Sequence, residues 1–300
     1  MSRDILIVGC GALATLFAAR LSAAGVDVMM LGTWPEGLYA LRFGGARLDG
    51  EGGFVVRATD NPADFRGAKT ALVLVKSWQT ERAAHQLAAC LADDGLAVTI
   101  QNGLGNDDIL SGILGPRRVS RGVTTLGATL LAPGSARSSG TGEVTLEAHP
   151  RLTALESIMR VANIEISIVK DSRPAVWGKL VINAAINPLT ALLRVRNGEL
   201  LTIPPARELM GELALEAASV AVSLGVDLPF SVPDRAVEEV ARHTSDNTSS
   251  MLQDVLRGAE TEVDAINGAV VRNGQAMKVS TPVNRVIWSL VEALPRPGKL

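Results

Sequence analysis

Close to its N-terminus the chain reads Asp4-Ile5-Leu6-Ile7-Val8-Gly9-Cys10-Gly11-Ala12-Leu13-Ala14, an apolar run that passes directly into closely spaced glycines. This order predicts a buried strand, a tight turn and the start of a helix, the arrangement typical of dinucleotide binding. Gly9 allows the turn, Gly11 lets a pyrophosphate approach the backbone, and Ala14 is small enough for close packing. We therefore expect a dinucleotide cofactor at Gly9, Cys10, Gly11, Ala12 and Leu13. The alternative is a glycine turn that merely packs.

The first half of the chain alternates short β-rich runs with helical runs, which predicts a parallel sheet wrapped by helices. After Lys170 the strand signals nearly vanish. We therefore predict an α/β fold: an N-terminal Rossmann-like dinucleotide-binding domain (residues 1–170) and an all-helical C-terminal substrate and catalytic domain (residues 171–300). The predicted strands are Asp4–Val8, Val26–Leu31, Phe54–Ala58, Ala71–Val75, Leu96–Ile100 and Glu165–Val169, with others in 119–147. The predicted C-terminal helices are Ala175–Leu193, Ala206–Leu224, Asp234–Arg242 and Ser250–Arg272, before a loose tail at 295–300.

The composition narrows the class of partner. The chain has 29 basic and 31 acidic residues among its 300, well mixed, so neither nucleic acid nor a membrane is expected as a partner. Two cysteines, Cys10 and Cys90, suggest neither a disulfide framework nor a metal site, which fits the cytoplasm. The apolar stretch Ile5–Leu31 is interrupted early by Gly9 and Gly11 and contains Arg20 and Asp27, unlike a membrane span. The sequence leaves open whether the protein forms a homodimer.

The choice of cofactor depends on the residues that end the second strand, Leu31-Gly32-Thr33-Trp34. NAD enzymes usually carry an acidic residue there for the ribose 2′-hydroxyl. Asp27 lies at the wrong end of the strand, and Glu36 lies beyond Pro35. The sequence therefore favours NADPH over NADH, with Thr33 as a hydrogen-bond donor to the phosphate, although no arginine occupies the position.

Two polar residues follow apolar strands at the predicted carboxyl edge of the sheet, where ligands bind in such folds. Lys76 follows Ala71–Val75, and Asn102 follows Leu96–Ile100. The alternatives are a solvated loop lysine and an ordinary asparagine–glycine turn.

A sharper pattern lies in the second half, where Lys179, Asn183 and Asn187 are spaced at i, i+4 and i+8 within an apolar helix. This spacing aligns them on one face, so we expect a semi-buried polar line that hydrogen-bonds a partner. A polar stripe on a surface helix is the alternative. Pro188 removes one amide from the helix, and we expect a bend there and a free backbone carbonyl.

Further along, residues 247–253 predict a helix start with capping hydroxyls, and capping alone would explain Ser249 or Ser250. In the helix expected to follow, Val255, Ala259 and Ile266 form an apolar stripe, and Glu262 falls on that stripe. A buried carboxylate needs a cationic or hydroxyl partner, and Lys179 is the obvious candidate.

Taken together, these motifs make the chain resemble the 2-dehydropantoate 2-reductase (ketopantoate reductase) family over nearly its whole length. The matching segments are Gly9–Leu13, Val75–Gln79, Gln101–Gly103, Trp177–Leu180, Asn183–Thr190, Asn197–Leu200, Ser249–Asp254 and Thr261–Gly268. The resemblance implies NADPH-dependent reduction of 2-dehydropantoate to pantoate, a step toward pantothenate and coenzyme A.

The resemblance also implies roles for individual residues. Lys179 matches the general acid, and Lys76 matches a lysine near cofactor and substrate. The positions that match substrate contacts are Asn102, Asn183, Asn187, Ser250 and Glu262, of which Asn102 also matches a cofactor contact and Glu262 is assigned to catalysis. One departure is Thr33, where the family often has arginine.

Two alternatives remain beside this reading. One is a related reductase for another small 2-oxo acid, and the other is a non-catalytic dinucleotide sensor whose helical half dimerises. The complete polar set argues against the sensor, because binding alone does not require a buried proton donor.

Overall fold

The computed structural model describes residues 4–295, so residues 296–300 of the expected tail lie outside it. The chain forms two compact units. The first comprises the residues up to Gln101 together with Asn106–Ser172, and the second comprises Asn102–Gly105 and the residues from Arg173 onward. The predicted fold class is confirmed, since the first unit is α/β and the described part of the second is helical. A division at residue 170 did not anticipate that Asn102–Gly105 groups with the helical unit.

The first unit contains all twelve strands of the described chain and five α-helices. The strands are β1 (Asp4–Val8), β2 (Asp27–Leu31), β3 (Ala46–Leu48), β4 (Gly52–Phe54), β5 (Arg57–Thr59), β6 (Ala68–Val73), β7 (Leu91–Thr99), β8 (Val119–Thr124), β9 (Ala128–Ala132), β10 (Ser135–Ser138), β11 (Glu143–Glu147) and β12 (Glu165–Val169). The helices are α1 (Ala12–Ala23), α2 (Pro35–Gly44), α3 (Thr80–Cys90), α4 (Asn106–Leu114) and α5 (Thr153–Val161).

The large sheet has the order β12-β11-β8-β7-β6-β1-β2-β5. Its six strands from β5 to β8 are parallel and follow the 3-2-1-4-5-6 order of the Rossmann fold. The order reverses between β1 and β6, and ligands of such sheets bind at this point, beyond the carboxyl ends of the strands. Four short strands form a second sheet in the order β4-β3-β10-β9.

Both faces of the large sheet are covered. Ile5 and Ile7 of β1 belong to one apolar cluster with α1 and α5, whereas Leu6 and Val8 belong to another with α3 and α4. Alternate side chains of a strand point to opposite faces, so a strand buried on both sides reads as a continuous apolar run. The uninterrupted run that opens the sequence is therefore explained by its central position.

The predicted strand Phe54–Ala58 is wrong. β4 ends at Phe54 and β5 begins at Arg57, and the two strands belong to different sheets. Val55 between them is 87% exposed. Two adjacent valines thus looked like the middle of one strand, although Val55 is exposed and Val56 is buried in the core between the two strands.

The second unit consists of helices packed around α6 (Arg173–Leu193). Within residues 4–295, α6 is the one helix long and apolar enough to span a membrane, but 67% of its most apolar window is buried, as is typical of a core helix. The others are α7 (Pro204–Ser223), α8 (Pro233–His243), α9 (Ser250–Leu256), α10 (Ala269–Met277) and α11 (Pro282–Glu292), with a 3₁₀ turn at Asn197–Thr202 and a π turn at Asp264–Gly268.

The predicted continuous helix Ser250–Arg272 is also wrong, because α9 ends at Leu256. Gly258 has φ +66°, and its amide donates to the carbonyl of Val255 while the amide of Ala259 donates to that of Asp254. These two bonds form a Schellman motif, in which glycine at the left-handed position terminates a helix. Ala259 is exposed, and the helix has ended before it. The apolar stripe that was expected to include Glu262 is therefore not formed.

Candidate active site

The turn after β1 is held by backbone contacts that require glycine. Gly9 has φ +132°, and its amide donates to the carbonyl of Leu31 at 2.8 Å. A Cβ on Gly9 would lie 2.9 Å from the carbonyl oxygen of Leu74, beyond β6. The chain therefore passes between the ends of β2 and β6 in a conformation that other residues rarely adopt.

Gly11 is needed for a different reason. It precedes α1 without a side-chain cap, so no side chain engages the first amides of that helix. A Cβ on Gly11 would meet no atom of the described chain within 4 Å, apart from its own neighbours. Packing therefore does not explain the glycine, and the open space beside it would admit a phosphate. Ala14 is fully buried, consistent with tight packing of α1 on the sheet.

Cys10 connects this turn to the end of β2. Burial raises the pKa of its thiol, opposed by the backbone amides of Trp34 and Thr33 and by the charge of Arg82. Thr33 is exposed just beyond β2, and Arg82 is exposed in the first turns of α3. Arg82 was not among the residues that the sequence predicted near this turn, although it lies in the helix after Lys76.

Asp27 forms an ion pair at the opposite edge of the sheet from the glycine turn. Its carboxylate pairs with Arg57 at 2.7 Å, where β2 and β5 both begin. The carboxyl end of β2, Gly32-Thr33-Trp34, thus carries no acidic side chain for a ribose hydroxyl.

Lys76 follows β6 and is half-buried. Its amide donates to Oε1 of Gln79 at 3.3 Å. Nearby, Nε2 of the buried Gln101 donates to the carbonyl of Val75 and to Oγ1 of Thr80, both at 2.9 Å. Gln101 thereby links the segments that follow β6 and β7, a positioning role that its place before Asn102 did not reveal.

The polar line of α6 lies in the helical unit. Lys179 and Asn183 are half-buried, and Asn187 is only 7% exposed. Within the described chain, the carboxamides of Asn183 and Asn187 make no side-chain hydrogen bond. Because buried amides normally have partners, these two are suited to hold a ligand. Gly178 beside them is required by packing, since a Cβ there would lie 2.7 Å from Cγ of Pro229.

The ammonium of Lys179 has an unusual titration. Burial lowers the pKa of this lysine from 10.5 to about 8, and the carboxylate of Glu262 acts in the opposite direction. A lysine with a pKa near neutrality is charged at working pH yet releases its proton readily, which suits general acid catalysis.

Glu262 is 6% exposed, so the structure buries it although the predicted helix is absent. Its Oε2 accepts a hydrogen bond from Nδ2 of Asn102 at 3.2 Å. The loop that carries Asn102 is fixed nearby, because the amide of Leu104 donates to the carbonyl of Ala265 at 2.9 Å. The structure thus brings together Asn102, Lys179 and Glu262, which are far apart in sequence.

Gly103 makes this docking possible and provides a test. It has φ +80°, and a Cβ there would lie 2.5 Å from the carbonyl oxygen of Ala265. Gly103→Ala should displace Asn102 from Glu262 and lower turnover by about tenfold or more, with a stability loss of about 1–3 kcal/mol. Steady-state kinetics and thermal unfolding measure the two effects.

Gly105→Ala is the matched control, since Gly105 also has positive φ (+86°) but no described atom lies near its Cβ position. Both variants carry the same conformational strain. Equal losses from the two would mean that the contact with Ala265 does not matter.

The start of α9 is tied to α6. Oγ1 of Thr190 donates to the carbonyl of Asn187 at 2.9 Å and lies 2.6 Å from Oγ of Ser249. Since the threonine proton is committed to the carbonyl, Ser249 donates to Thr190, while it accepts from the amide of Leu252 as the helix cap. Ser249 is therefore the capping residue, and Ser250, half-buried in the first turn, is left for another role.

The fold and these groups define a dinucleotide-dependent reductase with a Rossmann unit and a helical unit. The family model of ketopantoate reductase PanE/ApbA matches residues 5–151, and that of its C-terminal part matches residues 171–295. The chain therefore belongs to the ketopantoate reductase family, a family of oxidoreductases.

Individual relatives agree with this assignment. A 2-dehydropantoate 2-reductase of Archaeoglobus fulgidus is 35% identical over 297 residues, which cover 97% of both chains. The crystal structure of a PanE/ApbA family ketopantoate reductase from Ralstonia eutropha JMP134 is 31% identical, with a TM-score of 0.90 over 97% of this chain and 98% of that one. D-mandelate dehydrogenase, solved with NADH and anilino(oxo)acetate, shares the fold at 23% identity (TM-score 0.84, 97% of both chains).

Proposed function

We propose that this protein reduces 2-dehydropantoate to (R)-pantoate, a step of pantothenate and coenzyme A biosynthesis, with NADPH as the reductant. The observation that carries the proposal is the pair in the helical unit, a half-buried Lys179 with a pKa of about 8 beside the buried Glu262. The 2-dehydropantoate 2-reductase that is 35% identical over 97% of both chains supports the same substrate.

Lys179 is the proton donor in this proposal. Bound NADPH would supply the hydride that reduces the keto carbon. As negative charge develops on the keto oxygen, the ammonium of Lys179 stabilises it and then delivers its proton to that oxygen. Glu262 keeps the lysine charged in a site whose burial disfavours the charge.

The remaining polar groups orient the substrate. The carboxamides of Asn183 and Asn187 can donate to a carboxylate and accept from a hydroxyl, which are the two functional groups that flank the ketone. Asn102 and Ser250 complete the set, and Asn102 also contacts the cofactor in this proposal. Because the amide of Asn102 already donates to Glu262 at 3.2 Å, it can also orient the carboxylate that acts on Lys179.

Apart from Asn102, the residues proposed for the cofactor belong to the first unit. The residues that fit it are Gly9, Cys10, Gly11, Ala12 and Leu13, with Thr33 and Lys76 at the ends of β2 and β6. The uncapped start of α1 and the glycine that packing does not require both suit a pyrophosphate. The absence of an acidic residue after β2 leaves room for a 2′-phosphate, and the charge of Arg82 acts on the same turn.

Cofactor preference yields a prediction. NADPH should be preferred over NADH, but modestly, because Thr33 supplies only a hydroxyl. Thr33→Arg should lower the KM for NADPH by about three- to tenfold, since a guanidinium pairs with phosphate bidentately. The KM for NADH should stay nearly unchanged and serves as the internal control. A native enzyme that uses NADH more efficiently would overturn the assignment.

A panel of 2-oxo acids tests the proposed substrate. The enzyme should prefer 2-dehydropantoate over 2-oxoisovalerate, which lacks the hydroxymethyl group, by at least about a hundredfold in kcat/KM. Faster reduction of another small 2-oxo acid would favour the related reductase instead. Tight NADPH binding without turnover on any member of the panel would favour the sensor.

A further inference from the structure

Pro188 leaves a gap in the hydrogen bonding of α6. Proline has no amide, so the carbonyl four residues earlier, that of Ala184, loses its helical donor. Nδ2 of Asn267 donates to this carbonyl at 2.9 Å. Asn267 is fully buried, so it replaces the missing backbone bond in a place that water does not reach. The carbonyl that Pro188 was expected to leave without a backbone donor is that of Ala184, and it accepts a hydrogen bond from the Asn267 side chain instead.

Asn267 is itself fixed by a second buried amide. Its Nδ2 also donates to Oδ1 of Asn284 at 3.0 Å, and Nδ2 of Asn284 donates to the carbonyl of Leu213 and to Oε2 of Glu216. A carbonyl and a carboxylate can only accept, so the orientation of both amides is determined. Glu216 also accepts from the amides of Val283 and Asn284, which holds the start of α11.

The position of Asn267 connects two parts of the candidate site. It lies in the π turn Asp264–Gly268, which begins two residues after Glu262. Ala184, its acceptor, lies between Asn183 and Asn187 on α6. Single-turn π segments occur frequently at functional sites. One buried amide thus ties the segment that carries Glu262 to the helix that carries Lys179.

We propose that Asn267 is a positioning residue, which uses the carbonyl freed by Pro188 to hold the Glu262 segment in register with Lys179 on α6. It does not touch the substrate. The inference rests on the proposed function for its kinetic consequence, but the tether itself is a property of the helical unit. The competing view is that Asn267 only fills the hydrogen-bonding gap in a core helix.

The two views differ when Pro188 is replaced as well. In P188A the amide of residue 188 can bond the Ala184 carbonyl within the helix. The double variant P188A/N267A therefore has no unpaired carbonyl but still lacks the tether. If Asn267 only fills a gap, stability and chemistry recover together in the double variant. If it positions Glu262, stability recovers and chemistry does not.

The test compares N267A, P188A and P188A/N267A with N273A as the matched control. Asn273 also donates to a backbone carbonyl, that of Ala269, but within its own helix. Three quantities are measured: the Tm, the kcat for 2-dehydropantoate, and the pH dependence of Lys179 acetylation by acetic anhydride, read by mass spectrometry. The labelling needs no turnover, so it distinguishes failure of this inference from failure of the proposed function.

We expect N267A to lower the Tm by a few degrees and kcat by about tenfold, with the KM for NADPH unchanged. The pKa of Lys179 should fall below its native value of about 8, because Glu262 no longer supports the charge. P188A/N267A should have the native Tm but keep the low kcat of N267A and the lowered pKa of Lys179. N273A should resemble the native enzyme in all three quantities. If kcat and the pKa of Lys179 recover together with the Tm in P188A/N267A, the proposal is overturned. A folded N267A variant with native kcat and a native pKa of Lys179 would also overturn it. Should N267A not fold, the double variant alone decides by the same criteria.

Discussion

Replacing Lys179 with alanine is expected to lower turnover of 2-dehydropantoate by roughly 10²- to 10⁴-fold, the usual cost of losing a general acid. The alkoxide that forms on hydride transfer would then lose both its nearest positive charge and its proton donor. NADPH binding should persist, because the glycine turn that fits the cofactor belongs to the other unit. Since burying an ammonium costs free energy, the variant should not unfold at a lower temperature.

Fluorescence titration with NADPH and steady-state kinetics separate the two effects. Lys170→Ala removes an exposed lysine and is the control. Turnover within about threefold of the native value in a folded Lys179→Ala enzyme would remove this lysine from the reaction.

The second large effect is expected from Glu262→Gln. In the native enzyme, kcat should fall as the pH rises through about 8, because the neutral amine of Lys179 cannot donate a proton. The carboxylate of Glu262 raises the pKa of this lysine, so its removal should move that alkaline limb to lower pH. Turnover at neutral pH should then drop by at least about tenfold.

The glutamine keeps an acceptor for the amide of Asn102, so the fold and substrate binding should survive better than turnover. A double-mutant cycle with Lys179→Ala measures the coupling, since residues that act as a unit give strongly non-additive losses. Glu292→Gln, at an exposed position, is the control. Additive losses together with an unmoved alkaline limb would show that Glu262 acts independently of the lysine.

Local sequence patterns predicted the parts of the molecule that short-range physics determines. The continuous apolar run of β1 reflects burial on both faces of the sheet, and Gly9 after it reflects a turn conformation that other residues rarely adopt. The spacing of Lys179, Asn183 and Asn187 predicted one face of α6 for the same reason, because it depends only on helical periodicity.

What the sequence did not reveal depends on contacts between distant residues. The docking of Asn102–Gly105 on Ala265 could not be predicted from a glycine that looked like part of an ordinary turn. Gly258 was a readable helix stop, yet the apolar residues around it suggested a continuous helix. The donor for the carbonyl freed by Pro188 lies 83 positions away, at Asn267. No local pattern specifies such a pairing.

The central claim is that a hydride passes from the nicotinamide to the keto carbon while Lys179 supplies the proton. The most direct measurement uses NADPH carrying deuterium at the transferable position of the nicotinamide, with 2-dehydropantoate and the purified native enzyme. Mass spectrometry of the product should find pantoate with one deuterium at carbon 2, formed in amounts equal to the NADPH consumed. Pantoate without the label, or no pantoate while NADPH is bound, would contradict the account.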